Sequence, residues 1–298
     1  MIDFEGIIVP MMTPFSRDGD LMEDTLRELV DYLIEGGVHG LFPSSSIGEF
    51  SSMSVEERKK VIDIVIDQTN GRVPVIPGAG SSDMTNTIAM LDHIEDLGGD
   101  GAVVVTPYYL KPDQRGLYDY FASISEIAEV PIFVYQIPMS TGVELSADTV
   151  TALSHQCDNI VGMKDSSGNL VRLFEIRRRA GDDFLLFQGF DTLLLPSLLF
   201  GCAGGMVGTA NLLPSLTVEI FKLQREGDIE AARRIQMERL CPLFEIGMGH
   251  GVFPAGFKEM GRLVGMDLGY TRPPIRHLDE GEKNGLREAL RLAGFIGP

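Results

Sequence analysis

Apolar residues along this chain fall into two patterns that alternate from end to end. One is a short run that is apolar at nearly every position. The other is a longer stretch that is apolar at every third or fourth position. The short runs are GIIVPMMTPF (6–15), GLFPS (40–44), VPVIPGAG (73–80), GAVVVTPYY (101–109), VPIFVYQIP (130–138), IVGMKDSS (160–167), FLLFQG (184–189) and GGMVGTAN (204–211). Runs without polar alternation predict strands buried on both faces, as in a parallel sheet sheathed by helices. The longer stretches predict those helices. LMEDTLRELVDYLIEGG (21–37) carries Leu26, Leu29, Val30, Leu33 and Ile34 on one stripe and ends in Gly-Gly. SVEERKKVIDIVIDQTNG (54–71) opens with Ser54 and, three residues on, Glu57, the signature of a capping box, and ends in Asn-Gly. Similar patterns occupy 83–99 and the regions near 114–129, 146–156, 169–180 and 190–200.

Eight strand–helix units predict an α/β fold, a (β/α)8 TIM barrel over residues 1–213. Residues 214–298 contain no strand-like run and predict helices at 214–225, 228–246, about 251–264 and 279–293, with Pro273–Pro274 marking a break. This C-terminal helical segment is expected to pack on one flank of the barrel. A doubly wound open sheet is the rival architecture. It normally shows G-x-G-x-x-G after the first strand, whereas here that strand runs into TPFSRDGD.

Composition narrows the function classes. A net charge of −18 excludes a nucleic-acid partner, whose phosphates this surface repels. An anionic substrate therefore needs local help, such as backbone N–H groups at a loop. Three cysteines, Cys157, Cys202 and Cys241, form no C-x-x-C pair, and the five histidines show no metal-ligand spacing, so neither a disulfide framework nor a metal is expected. The N-terminal MIDFEGIIVP is acidic where a signal peptide is basic, and the longest apolar stretch (193–208) contains Pro196 and four glycines. The expectation is a cytoplasmic protein without membrane contact.

The chemistry gathers at the ends of the predicted strands, where barrel active sites form. Lys164 follows the apolar run Ile160–Met163 and precedes a polar turn. Burial of an unpaired lysine disfavours its charged form, and a neutral amine attacks carbonyl carbon to give a Schiff base. The same segment alone also reads as a strand end whose ammonium reaches water. Tyr135, one unit earlier, is a candidate proton carrier for such chemistry, or an ordinary strand aromatic. The turn SSSIGEF (44–50) offers hydroxyls and N–H groups for a carboxylate, or serines that cap the next helix.

Together PMMTPF, VTPYYLKP, YQIP, GMKDSSGNL, QGFD and TAN resemble the dihydrodipicolinate synthase / N-acetylneuraminate lyase family of class I, pyruvate-handling aldolases, across the whole barrel. The resemblance implies that Lys164 forms an imine with the 2-oxo carbon of pyruvate and that Tyr135 transfers protons. It implies that the turn Ser45, Ser46, Ile47, Gly48 and Glu49 binds the carboxylate, and that Tyr109 crosses an interface in a homotetramer, a dimer of dimers. Gly189, Asp191 and Thr209 are expected to shape the aldehyde side. No cofactor is expected, because the lysine carries the chemistry. Three positions depart from the family pattern. Ile47 replaces the second hydroxyl of the turn, which links two tyrosines in the synthase subgroup. Ser45 replaces the glycine that opens the turn, a position where unusual backbone angles are expected. Ser140 stands where the synthases carry an arginine for aspartate semialdehyde. The leading expectation is therefore an aldolase that splits or forms a 2-oxo-3-deoxy sugar acid or another 4-hydroxy-2-oxo acid. The alternatives are the synthase reaction of pyruvate with aspartate semialdehyde, a dehydratase or decarboxylating relative, and a non-catalytic 2-oxo-acid binding protein.

Overall fold

The computed structural model describes residues 4–297; the first three residues of the acidic N-terminal segment lie outside it. Seven parallel strands run in the order β2-β1-β7-β6-β5-β4-β3. They are β1 (Gly6–Pro10), β2 (Gly40–Phe42), β3 (Ala102–Val105), β4 (Ile132–Gln136), β5 (Ile160–Asp165), β6 (Leu185–Gln188) and β7 (Gly204–Gly205). Single parallel bridges, Leu41 to Val75 and Gly78 to Val103, join β2 to β3 and close a (β/α)8 barrel.

Seven of the eight expected strands are present; the third run forms only single bridges, and the last strand is two residues long. In the third run, Pro74 and Pro77 have no N–H to donate, so a full ladder cannot form. Their carbonyls still accept from Leu41 and Val103, while Ile76 and Ala79 donate in return. In the last run only Gly204–Gly205 is strand, and Gly208–Asn211 winds into a 3-10 turn.

Alternation along the strands explains why the runs are apolar throughout. Ile8, Val103, Val105, Phe133, Tyr135 and Phe187 pack together inside the barrel. Their neighbours Val104, Ile132, Val134, Met163 and Leu186 pack outward beneath the helices. Inside, the rings of Phe4, Phe133 and Phe187 meet edge to face at 5.3 and 5.7 Å. Lys164 shares the inward face of β5. It is a lysine in a position otherwise given to apolar groups.

The helices lie where their patterns predict. Val55–Thr69 has the capping box, with Ser54 and Glu57 each accepting from the other's backbone N–H. The C-terminal segment forms Pro214–Glu226, Ile229–Ile235, Cys241–Gly249, Ala255–Val264 and Glu280–Leu292. A π turn, Gln236–Leu240, joins the second and third of these. Phe257, Met260, Leu286 and Leu290 pack into the same apolar cluster as Ile7, Val9 and Leu26 of the barrel. Among the described residues no helix is long and apolar enough to cross a membrane.

Candidate active site

Strand register brings the two central residues together. β4 and β5 pair so that Tyr135 lies directly opposite Lys164 at the C-terminal end of the sheet. Both side chains are buried, 3% and 4% exposed. The Lys164 ammonium sits 4.3 Å from the Tyr135 ring centroid and 5.1 Å from that of Phe42. Among the described residues no carboxylate pairs with it. Gly189 makes room for this lysine: a Cβ there would lie 2.0 Å from Ser166 Oγ and 2.9 Å from Lys164 Cε. The amine opens into a cavity of about 270 Å³.

The turn after β2 forms one wall. Ser46 Oγ lies 3.4 Å from the Tyr135 hydroxyl, and either group can donate. Ile47 lines the cavity with its side chain, so no hydroxyl stands at that position. Ser45 is turned away from the cavity. Its hydroxyl donates to Met11 O and accepts from Gly48 N–H, bracing the turn from behind. The Gly48 N–H is thereby occupied, while the N–H groups of Ser46 and Ile47 have no acceptor among the described residues. Gly48 must be glycine, since a Cβ would meet Met11 O at 2.6 Å. The left-handed positions are Ser44 (φ 57°) and Glu49 (φ 61°), not Ser45, whose change from glycine is therefore easily accommodated. Ser44 is held from helix Val55–Thr69, where Arg58 donates to its hydroxyl.

Another part of the lining is built around a buried acid. Asp191 lines the cavity, and its carboxylate accepts from the N–H and hydroxyl of Thr209 and from Gly208 N–H. Thr209 is fully buried and stands behind Asp191; it shapes the pocket only through that residue. Burial pushes the Asp191 carboxyl up from the ordinary carboxylate range, and the Thr209 and Gly208 bonds pull it back. A carboxyl raised in this way keeps its proton longer in the native state than in the unfolded chain. Stability therefore falls as pH rises from the unfolded value through the raised native one. Asp191→Asn removes that slope, so the variant is expected to gain on the wild type in urea unfolding as pH rises above the ordinary carboxylate range. Parallel stability curves for the two proteins would contradict this.

The remaining wall comes from the C-terminal segment. Phe244, Met248, Phe253 and Phe257 line the same cavity as Lys164, with Phe190 against Phe244. The sequence gives little warning of this. Inward residues of an amphipathic helix follow the same spacing whether they meet packed core or an open pocket. Ser140, on the short helix Pro138–Thr141, also lines the cavity, and no arginine does so among the described residues. Tyr109 stands apart from all of this, 89% exposed with a φ of 74°, beside the equally prominent Leu110. Among the described residues no group of three or more His, Cys, Asp or Glu is placed to hold a metal.

A buried amine opposite a phenol, two free N–H groups beside a hydroxyl and a largely apolar far wall make a site suited to carbonyl chemistry on a small anion. The sequence model of the dihydrodipicolinate synthetase family matches residues 3–293. A 4-hydroxy-tetrahydrodipicolinate synthase from Methanopyrus kandleri is 39% identical over 98% of this chain and 97% of its own. Dihydrodipicolinate synthase from Aquifex aeolicus superimposes with a TM-score of 0.93 at 33% identity, covering 98% of this chain and 99% of that one. A prophage protein of the dihydrodipicolinic acid synthase family from E. coli, solved in complex with pyruvate, gives a TM-score of 0.94 at 32% identity and the same coverage.

Proposed function

Because the chain belongs to the dihydrodipicolinate synthetase family of class I, aldolase-type lyases, we propose that Lys164 is its imine-forming lysine and that it joins or splits pyruvate and an aldehyde. The observation that carries this reading is the buried Lys164 set against Tyr135 and Ser46 in one cavity. The amine adds to C2 of pyruvate and water leaves, giving an iminium. Loss of a C3 proton yields an enamine, with the iminium nitrogen taking up the electron pair. C3 then bonds to the aldehyde carbon, and the new alkoxide is protonated through Tyr135. Hydrolysis frees the product and restores Lys164. In reverse, a 4-hydroxy-2-oxo acid loses its aldehyde and leaves the enamine. The pyruvate carboxylate is held by the Ser46 hydroxyl and the free N–H groups of Ser46 and Ile47.

The relatives' name supports aspartate semialdehyde as the aldehyde, which makes the synthase reaction the leading reading ahead of the sugar-acid cleavage first expected. The non-catalytic alternative is set aside with the enzyme class of the family. One observation favours the sugar-acid reading: Ser140 and an arginine-free cavity offer no guanidinium for a carboxylate on the aldehyde. Tyr109 and Leu110, exposed together, support a further proposal that subunits associate as a homotetramer, with this loop at an interface.

Turnover decides between the aldehydes. Condensation of pyruvate with aspartate semialdehyde should exceed cleavage of 2-oxo-3-deoxy sugar acids in kcat/KM, and the reverse order would overturn the synthase reading. In the synthase case, Ser140→Arg should lower the KM for aspartate semialdehyde by roughly ten- to a hundredfold, since a charge-assisted bond contributes about 1.5–3 kcal/mol. An unchanged KM would mean that the aldehyde's carboxylate does not approach residue 140.

A further inference from the structure

Beyond the cavity lies a fully buried ion pair whose partners come from opposite ends of the chain. Glu49 follows Gly48 directly in the turn after β2. Lys258 sits on helix Ala255–Val264 of the C-terminal segment. Their charged atoms are 2.6 Å apart, with side chains 1% and 2% exposed. The Lys258 ammonium also donates to Thr13 O at 2.8 Å and Tyr270 O at 2.6 Å, and lies 4.7 Å from the Phe15 ring centroid. Its ion pair and two hydrogen bonds thus reach three separate segments of chain. The other Glu49 oxygen accepts from Arg272 N–H at 2.8 Å. Arg272 itself reaches Ser52 O, Gly19 O and Glu57.

Such a pair does little for net stability, because the desolvation of two buried charges offsets most of their attraction. Its effect is directional. Glu49 has a left-handed backbone, an unfavourable state for a residue with a Cβ, and its own N–H donates to Ser46 O. The next residue, Phe50, donates to Ser45 O, so fixing Glu49 fixes the Ser45–Ser46 and Ser46–Ile47 peptide planes, which carry the free N–H groups of Ser46 and Ile47. The turn is gripped at both left-handed residues, Ser44 by Arg58 and Glu49 by Lys258.

We infer that Lys258 and Glu49 are positioning residues that preset the anion-binding turn, so that the C-terminal segment governs how tightly the 2-oxo acid's carboxylate is held. This rests on the reading of the turn as the carboxylate site. Neither side chain lines the cavity beside Lys164, so neither touches the reacting atoms. The segment that supplies the far wall through Phe253 and Phe257 thus also sets the near wall.

Glu49→Gln removes the charge and keeps the shape; Glu49→Asp keeps the charge and draws it back. Both are assayed in the full chain for half-saturation by pyruvate, read as borohydride-trapped adduct, for the KM of the aldehyde, and for the urea midpoint. The expected result is a pyruvate half-saturation raised roughly tenfold in Glu49→Gln, with the aldehyde KM and kcat close to wild type. Glu49→Asp should fall between the two. A lowered urea midpoint with unchanged pyruvate half-saturation in either variant would reduce the pair to a structural role and overturn the inference. If Glu49→Gln does not fold, Glu49→Asp decides alone by the same criterion. Absence of an adduct in the folded wild type would instead overturn the imine reading beneath it.

Discussion

Lys164→Ala is expected to yield a folded protein with no detectable turnover and no borohydride-trapped pyruvate. The loss should be roughly ten-thousandfold or more in kcat, at least ~5.4 kcal/mol of barrier. Nothing nearby can replace the amine. The other buried lysine, Lys258, is committed to Glu49 and two carbonyls and lies outside the cavity. Without the imine, C3 of pyruvate must be deprotonated to a free carbanion, with no iminium to take the charge. The fold should survive because the Lys164 ammonium has no ion pair among the described residues and already borders a cavity. The stability change should stay near 1 kcal/mol, read as a small shift of the urea midpoint. Turnover within tenfold of wild type would remove Lys164 from the reaction.

Tyr135→Phe should separate proton transfer from imine formation. The ring remains, and with it the contact to Lys164 at 4.3 Å and to Phe42 at 6.4 Å. Only the hydroxyl facing Ser46 is lost. General acid–base catalysis by a positioned group is worth about 10²–10⁴-fold, and kcat should fall by that order. The pyruvate adduct on Lys164 should still accumulate, more slowly, because dehydration of the carbinolamine also moves protons. With Ile47 in place of a hydroxyl residue, the Ser46 hydroxyl is the contact of Tyr135 within the turn, so Ser46→Ala should share part of this loss. An unchanged kcat in Tyr135→Phe would assign the proton to another group.

Much of the fold can be read directly from the runs and stripes of the sequence. Ser54 and Glu57 announce their helix, and the apolar strands announce a sheet covered on both sides. What could not be read was hydrogen-bond capacity within a run. Pro74 and Pro77 reduce an apolar segment to single bridges, and the chain after Gly205 turns into a 3-10 helix despite its strand-like composition. The pairing of Lys164 with Tyr135 was legible because parallel strands one unit apart share a register. The roles of Ser45 and Thr209 were not, because a hydroxyl that braces a turn from behind looks the same in sequence as one that faces a ligand. Contacts across long separations were equally silent. Lys258 lies far along the chain from Glu49, and Phe253 and Phe257 reach the pocket from a segment whose pattern predicts only packing.

The relatives and the site agree on the enzyme class and differ in what they suggest about the aldehyde. Ser140 is the residue where that difference is concentrated, since it lines the cavity where no arginine does among the described residues. The imine on Lys164 forms before any aldehyde is chosen.

The most direct measurement is to incubate the folded wild-type protein with pyruvate, reduce it with borohydride, and locate the adduct by intact mass and peptide mapping. One reduced pyruvate per chain is expected, on the peptide containing Lys164. No adduct, or an adduct on another lysine, would contradict the imine at Lys164.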